Sequence, residues 1–356
     1  MAKWLDAAPV GDPARVHAEG TSQRATIEEA RERVAAVLEI ASRQVVFTSS
    51  ASEAVATATF SATRSRPGAV LAASVEHSSV LESARQFGEL RSIPTDPLGR
   101  VDVEAVAAAL SRCNDHPVSL VHCQVGNHEV GTLQPVTEIA DLCRRSGVLL
   151  HCDAAASGCK LPAFDEIGAD FVSISSHKLG GPPGVGVLVV RRGLRLVPLV
   201  RGGAQERSRR AGMENVVGIV GFAAALEAMH SNRSREEATQ RELISAMLDS
   251  ALAIPGVHLA GPPDSKERLP HIACIVFDDL AGEPLLVSLD ALGIAAHSGS
   301  SCSSEELAPS PVLEAMGLDP ERSLRLSVGW SSTADDARVF ADVFPAVVAR
   351  LRNLAS

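Results

Sequence analysis

The stretch that most constrains this chain runs from Ala169 to Val190. Two apolar runs, Phe171 to Ser175 and Val185 to Val190, have the length and β-branched content of buried strands. Between them lie Ser175-Ser-His-Lys178 and the loop Leu-Gly-Gly-Pro-Pro-Gly184. A lysine placed where two core strands break, beside glycines that admit a close ligand, suits an amine that attacks a carbonyl. Desolvation would keep that amine neutral enough to react. A plain surface turn lysine fits the local pattern as well.

The order of elements around this stretch sets the fold class. Strands are expected at Gln44–Ser49, Gly68–Ala73, Pro117–Val125 and Gly147–Asp153. Helices are expected at Thr26–Ile40 with Thr26 as N-cap, from Ser50 through Phe60, from His77, at Val101–Leu110 and at Val136–Ser146. Such alternation predicts an α/β fold with a mostly parallel, doubly wound central sheet and helices on both faces. Trp4 to Pro9 reads as a short strand or extended arm. Two helices are expected near 214–230 and 236–253, with a domain junction near 235. The last third predicts strands at His271–Phe277, Ile294–Ala296 and Ser323–Ser327, and helices at Glu283–Leu292 and Ala334–Leu351. The expected division is a large domain over 12–235 and a small α+β domain over 236–356 that takes in the arm 1–11.

Composition narrows the function classes. With 356 residues, 46% hydrophobic and 21% charged, the chain has ordinary globular make-up and length for two domains. A formal charge of −10 without a basic stripe argues against nucleic acid. No apolar run is long enough for a bilayer and the N-terminus lacks a signal core, so a cytoplasmic protein with reduced thiols is expected. The seven cysteines form no CxxC pair. His122-Cys123 and His151-Cys152 each end a strand, but neighbouring strand residues face opposite ways, so no structural metal site is expected.

Several residues are placed to do chemistry. The strand before Ser50-Ala51-Ser52-Glu53 feeds a helix N-terminus, a natural phosphate cradle and equally an ordinary N-cap. His77 follows a strand's C-terminal end, where open α/β sheets bind ligands. Asp153 ends another strand. Cys302 sits in His297-Ser-Gly-Ser-Ser-Cys302-Ser-Ser, either a nucleophile on an open loop or an incidental linker cysteine. Arg325 alternates with Leu324 and Leu326 on a short strand, a setting that suits a two-pronged grip on a carboxylate or a plain surface arginine.

Taken with these pieces, the sequence resembles the NifS/IscS-like cysteine desulfurases, pyridoxal 5'-phosphate (PLP) enzymes of the aspartate-aminotransferase fold (fold type I). The most specific motifs are Ser175-Ser-His-Lys178 with its Gly/Pro loop, Ser298-Gly-Ser-Ser-Cys302, and Arg325-Leu-Ser-Val-Gly329. The resemblance implies that Lys178 forms the Schiff base with PLP, Asp153 pairs with the pyridinium nitrogen and His77 stacks on the ring and moves protons. It implies phosphate contacts from Ser50, Ala51, Ser52, Ser175 and His177. It also implies that Arg325 holds the substrate carboxylate and Cys302 accepts the sulfur of L-cysteine as a persulfide. Family partners would be a second copy of the chain and a sulfur-acceptor protein such as an iron–sulfur scaffold, serving cluster assembly, tRNA thiolation or cofactor synthesis.

The pattern departs from the family at four places. The usual Asn-Asn-Glu reads Asn127-His128-Glu129, and the usual Asp-Ala-x-Gln reads Asp153-Ala-Ala-Ala156. His128 is therefore the candidate to reach the phenolic oxygen of PLP in place of the missing glutamine. The Arg-x-Gly-Thr that reaches a neighbouring subunit reads Arg210-Ala-Gly-Met213, and the N-terminal motif reads Asp6-Ala-Ala-Pro9. The rival readings are another PLP lyase or aminotransferase, such as a selenocysteine or cysteine-sulfoxide lyase, and a non-catalytic sulfur-transfer scaffold.

Overall fold

The computed structural model describes residues 11–113, 115–298 and 309–355. Contacts divide the chain into two compact units. The first holds the described residues of 1–93, 103–125 and 135–233; the second holds those of 94–102, 126–134 and 234–356. A single cut near 235 was expected. Instead the chain leaves the first unit twice before that point, so His128 groups with the second unit.

The first unit is built on a seven-stranded sheet: β1 (Val45–Thr48), β2 (Ala69–Ala73), β3 (Glu89–Ile93), β4 (Val118–His122), β5 (Leu149–Asp153), β6 (Phe171–Ser175) and β7 (Gly186–Val190). Their spatial order is β1-β7-β6-β5-β4-β2-β3. Pairing is parallel from β6 through β5, β4 and β2 to β3, and antiparallel between β7 and both its neighbours. Thus β7 alone runs against the rest, and β1 runs with them. Strands β1, β2, β4, β6 and β7 are buried along their whole length, the state of strands covered on both faces. Helices α1 (Ala18–Val37), α2 (Ala51–Ser65), α3 (Ser78–Phe87), α4 (Val103–Ser111) and α5 (Val136–Ser146) supply the cover.

Two residue pairs show that both faces are covered. On one face His122 and His151 meet, Nδ1 to Nδ1 at 2.8 Å, and His122 Nε2 lies 3.2 Å from Thr59 Oγ1 of α2. On the other, the thiols of Cys123 and Cys152 lie near each other and near Cys143 of α5. Alternation along β4 and β5 puts histidines and cysteines on opposite sides. The Thr59 hydroxyl donates to Val55 O at 2.8 Å, so it accepts from His122 Nε2–H. His122 Nδ1 is then the acceptor, His151 Nδ1 the donor, and His151 Nε2 carries no proton. Both rings are fully buried, and burial drives the pKa of His122 down to about 3 and that of His151 well below its usual value.

The second unit packs a three-stranded antiparallel sheet, β8 (Val257–Ala260), β9 (Ile272–Phe277) and β10 (Ser323–Ser327). Around it lie α7 (Gly282–Asp290), α8 (Ala334–Ala355) and the C-terminal part of α6 (Val216–Leu252). Its core joins Leu243, Ile275, Phe277, Leu324, Phe340 and Phe344, with the Phe340 and Phe344 rings stacked at 4.7 Å.

Four expected elements differ. Helix α1 begins at Ala18, not at Thr26, because His17 Nδ1 accepts the Gly20 N–H at 3.1 Å and starts the helix earlier. Thr26 folds its hydroxyl back to Ser22 O inside that helix. The two helices expected over 214–253 are one helix of 37 residues, about 55 Å long at 1.5 Å per residue. Its polar middle continues because neither glycine nor proline interrupts it there, and Asn232 Nδ2 donates back to Ala228 O on its surface. No strand forms over 294–296; only His297 bridges to Arg325. Strands β3 and β8 have half-exposed patterns that the sequence reading passed over. The expected arm at Trp4–Pro9 lies outside the described residues.

Candidate active site

Because β1, β2, β5 and β6 run the same way, their C-terminal ends meet at one edge of the sheet, the ligand-binding edge of open α/β sheets. Ser50 follows β1, His77 follows β2, Asp153 ends β5, and Ser175, His177 and Lys178 end or follow β6. The ten-residue connection 176–185 turns the chain back as β7, with Ser175 paired to Gly186. Lys178 stands in a short 3-10 turn, His177–Leu179, inside that connection.

The carboxylate of Asp153 is held on one side only. Its Oδ1 accepts from Ser173 Oγ at 2.8 Å and Ala155 N at 3.0 Å. Its Oδ2 makes no hydrogen bond among the described residues. His77 is the N-cap of α3, and its Nδ1 accepts from Ser79 N at 3.1 Å. That bond requires Nδ1 without a proton, so a neutral ring carries its proton on Nε2. The ring is reachable by solvent yet largely surrounded by protein. Burial lowers its pKa, the Asp153 charge acts to raise it, and Lys178 lowers it. His177 is lowered likewise, by burial and then by Lys178. His77, Asp153 and Lys178 are thus within electrostatic reach of one another.

The N-terminus of α2 stands at the same edge of the sheet. Ser50 caps α2 by accepting from Glu53 N at 3.1 Å, and the first turn carries Ala51 and Ser52. A Cβ on Gly186 would stand 2.4 Å from Ser50 C and 2.8 Å from Ala51 N. The missing side chain therefore lets this turn press onto β7. Ser175 Oγ lies 3.0 Å from His177 Nδ1. Glu53 takes Arg210 in a two-pronged pair at 2.8 and 3.2 Å; these bonds and those from Ser49 outweigh burial and hold its pKa below the usual range. Arg210, expected to serve a neighbouring subunit, is bound within its own chain. The loop that carries it is fixed by the buried pair Arg31–Glu206, 2.7 Å on both prongs.

Arg325 and His128 belong to the second unit. Arg325 Nη1 donates to His128 O at 3.1 Å, and its backbone N donates to His297 O at 2.7 Å. Its Nε is buried and has no partner among the described residues, which leaves a guanidinium donor for an incoming carboxylate. Cys302 lies outside the described residues.

The structure changes one expectation about Lys178. The sequence reading asks for a desolvated amine, but Lys178 is exposed in the chain by itself. The glycines at 180, 181 and 184 bear no side chains to cover it. Two functional neighbours were missed. Ser173 is paired with Asp153 across β5 and β6, a register that only the sheet order reveals. Glu76 is fully buried beside His77; its Oε1 accepts from Gln124 N at 2.7 Å and its Oε2 has no partner. Burial raises Glu76 to about 8, Gln124 N opposes, and the Asp153 charge adds to the rise.

These residues fit PLP. The cofactor needs an anion for its ring nitrogen, donors for its phosphate and an amine for its aldehyde. Asp153 Oδ2, the first turn of α2 with Ser175, and Lys178 answer those needs within one unit.

Comparison with known proteins agrees. Residues 9–340 match the aminotransferase class-V family. The chain is 38% identical to cysteine desulfurase IscS 1 of Archaeoglobus fulgidus, covering 97% of this chain and 91% of that protein. It is 34% identical to cysteine desulfurase IscS of Methanosarcina thermophila, over 97% and 87%. Among solved structures, the NifS-like protein of Rickettsia africae superposes with a TM-score of 0.89 at 26% identity, covering 98% of this chain and 94% of that one. By sequence, fold and the residues gathered at the sheet edge, the chain belongs to the IscS/NifS-like cysteine desulfurase family, PLP-dependent enzymes of fold type I within the class-V aminotransferases.

Proposed function

We propose that this chain is a cysteine desulfurase that converts L-cysteine to L-alanine and takes the sulfur onto Cys302 as a persulfide. The observation that supports it best is the arrangement of Asp153, His77 and Lys178 at one end of the sheet, with one Asp153 oxygen left for a ring nitrogen. Bound PLP would supply an electron sink for charge developing at the substrate Cα. Asp153 would keep the ring nitrogen protonated. His77, with Nδ1 committed to the α3 cap, would present its Nε2–H edge and lie on the ring face. Lys178 would move the Cα proton, as its exposed, rotatable amine allows. Ser50, Ala51, Ser52, Ser175 and His177 would hold the phosphate, and His128 would serve the phenolic oxygen.

Arg325 would bind the substrate carboxylate through the guanidinium edge that carries its unpartnered Nε. The Cys302 thiolate would attack the substrate sulfur. A sulfur–sulfur bond forms as the carbon–sulfur bond breaks, and carbon keeps the bonding pair until it is protonated to alanine. The six described cysteines are free thiols, consistent with a reducing, cytoplasmic setting. We extend the reading to a homodimer that passes sulfur to an acceptor protein such as an iron–sulfur scaffold.

The test is alanine and sulfide production from L-cysteine under reductant, in PLP-loaded wild type and Cys302→Ala. Equal yields of both products, lost in the variant, are expected. Turnover that survives the substitution would remove Cys302 from the reaction.

A further inference from the structure

The turn over 126–131 carries a buried acid that the desulfurase reading leaves unused. Asn127 Oδ1 shapes the turn by accepting from Glu129 N at 2.8 Å and Val130 N at 2.9 Å. Gly131, at φ +79, completes it, and Gly126 bridges to Leu133. Glu129 is 4% exposed. Its Oε2 accepts from Ser310 Oγ at 2.6 Å, and Ser310 is 1% exposed. The same Ser310 oxygen accepts from Leu313 N at 3.2 Å, capping the short helix Pro311–Ala315. The serine is thus held from two sides, by a carboxylate and by a helix end.

The turn also reaches the other side of the Cys302 segment. His128 O accepts from Arg325 Nη1, and Arg325 N donates to His297 O. His297 and Ser310 are five residues before and eight residues after Cys302 in the chain. Both points of attachment are therefore tied to one small turn and to the strand that bears Arg325. Where the ends of a segment are fixed bears on where a nucleophile it carries can act. A bond that fixes one end bears on the delivery of the thiol, while the cofactor residues of the first unit do not depend on it.

We propose that Glu129 is a positioning residue for the sulfur-accepting step, acting through Ser310 to fix the point where the chain returns from Cys302. The proposal rests on the reading that Cys302 accepts the sulfur and Arg325 binds the substrate. Charge at the site is consistent with it. Burial raises the Glu129 pKa, against the pull of the Ser310 hydroxyl and the Arg325 charge, and the neighbouring His128 lies 3.6 Å from its other oxygen. The Ser310–Glu129 bond holds in either charge state, because a hydroxyl can donate to a carboxylate or accept from a carboxylic acid.

The experiment uses the full PLP-loaded chain and two readouts. One is the affinity for L-cysteine, from the change it causes in cofactor absorption. The other is the single-turnover rate of persulfide formation at Cys302, from alkylation and mass spectrometry. Ser310→Ala and Glu129→Ala should slow persulfide formation roughly tenfold, the effect of one buried hydrogen bond lost, with L-cysteine affinity unchanged, since neither side chain is placed on the substrate. Ser310→Thr and Glu129→Gln, which keep a donor and an acceptor, should stay near wild type. Wild-type rates in both alanine variants would overturn the proposal. So would a fall in affinity that matches the fall in rate, since Glu129 would then act on substrate binding. A threonine variant as slow as the alanine one would overturn it too, and Ser310→Ala removes too little to unfold the chain. Wild-type enzyme that turns over without a persulfide at Cys302 would instead sink the underlying reading, and that is seen before any variant is made.

Discussion

Glu76 meets water nowhere, and one of its oxygens meets no donor. Its folded pKa of about 8 lies above the 4.5 of a free glutamate, so folding takes up a proton. The stabilising share of that proton is complete below 4.5 and is lost as pH rises toward about 8. Glu76→Gln has no proton to lose and keeps an acceptor for Gln124 N. The variant should therefore gain on wild type by about 1.4 kcal/mol for each pH unit between 5 and 8. Urea unfolding of both proteins at several pH values reads this directly, and a difference that does not change with pH would refute it. At this scale the sequence was uneven in what it disclosed. Lys178 and Asp153 stood at a break and an end of strands, and Arg325 stood between two leucines of a short strand, places where a polar residue needs a reason. Glu76 drew no reading and Glu129 entered only as part of Asn127-His128-Glu129, because burial by distant segments leaves no mark on the residues nearby in sequence.

Elements bring these residues into register. The α2 turn can lie against β7 only because β7 has glycine where the turn crosses it. Gly186→Ala would put a methyl group 2.4 Å from Ser50 C, and backbone would have to yield. The expected cost is about 1–3 kcal/mol of stability, as for other overpacked sites, together with weaker PLP binding. A denaturant midpoint and a PLP dissociation constant measured on the same sample check both; no change in either would show that the turn is free to move. The strands β6 and β7 were read at nearly their true bounds because their apolar runs are unbroken. Sheet order was not readable, since β7 turns back beside β6 and then takes β1 as its other neighbour across more than a hundred residues of sequence. Helix α6 was split in the reading because its polar middle resembles a linker, although no glycine or proline interrupts the helix there.

For the molecule as a whole, three buried groups of the first unit shape the response to pH. His122 and His151 have folded pKa values far below 6.5, so below that pH the unfolded chain binds two protons that the folded chain refuses. That costs about 2.7 kcal/mol per unit of falling pH, against about 1.4 regained from Glu76. Above 6.5 only the Glu76 loss remains. These groups alone place maximal stability near pH 6.5, with loss on both sides. Melting temperatures from pH 5 to 8.5 should trace that maximum, and Glu76→Gln should flatten its alkaline side; a steady rise through pH 8 would contradict the assignment. The class of fold was legible from alternating strands and helices. The interleaving of the two units was not, because segments 94–102 and 126–134 are too short to announce where they belong.

That interleaving bears on the order of assembly. The bond from Arg325 to His128 O joins residues 197 apart in sequence, and the bridge from Thr132 to Arg268 also spans the later part of the sheet domain. Chains are made from the N-terminus at about 5–20 residues per second, so the turn at 126–131 exists for some ten seconds or more before its partners emerge. During that time Glu129 and Asn127 have only local contacts, and the second unit cannot close until β10 has left the ribosome. The grip proposed for Arg325 is among the last features the growing chain can acquire, long after the strands that hold Asp153 and Lys178 have been made.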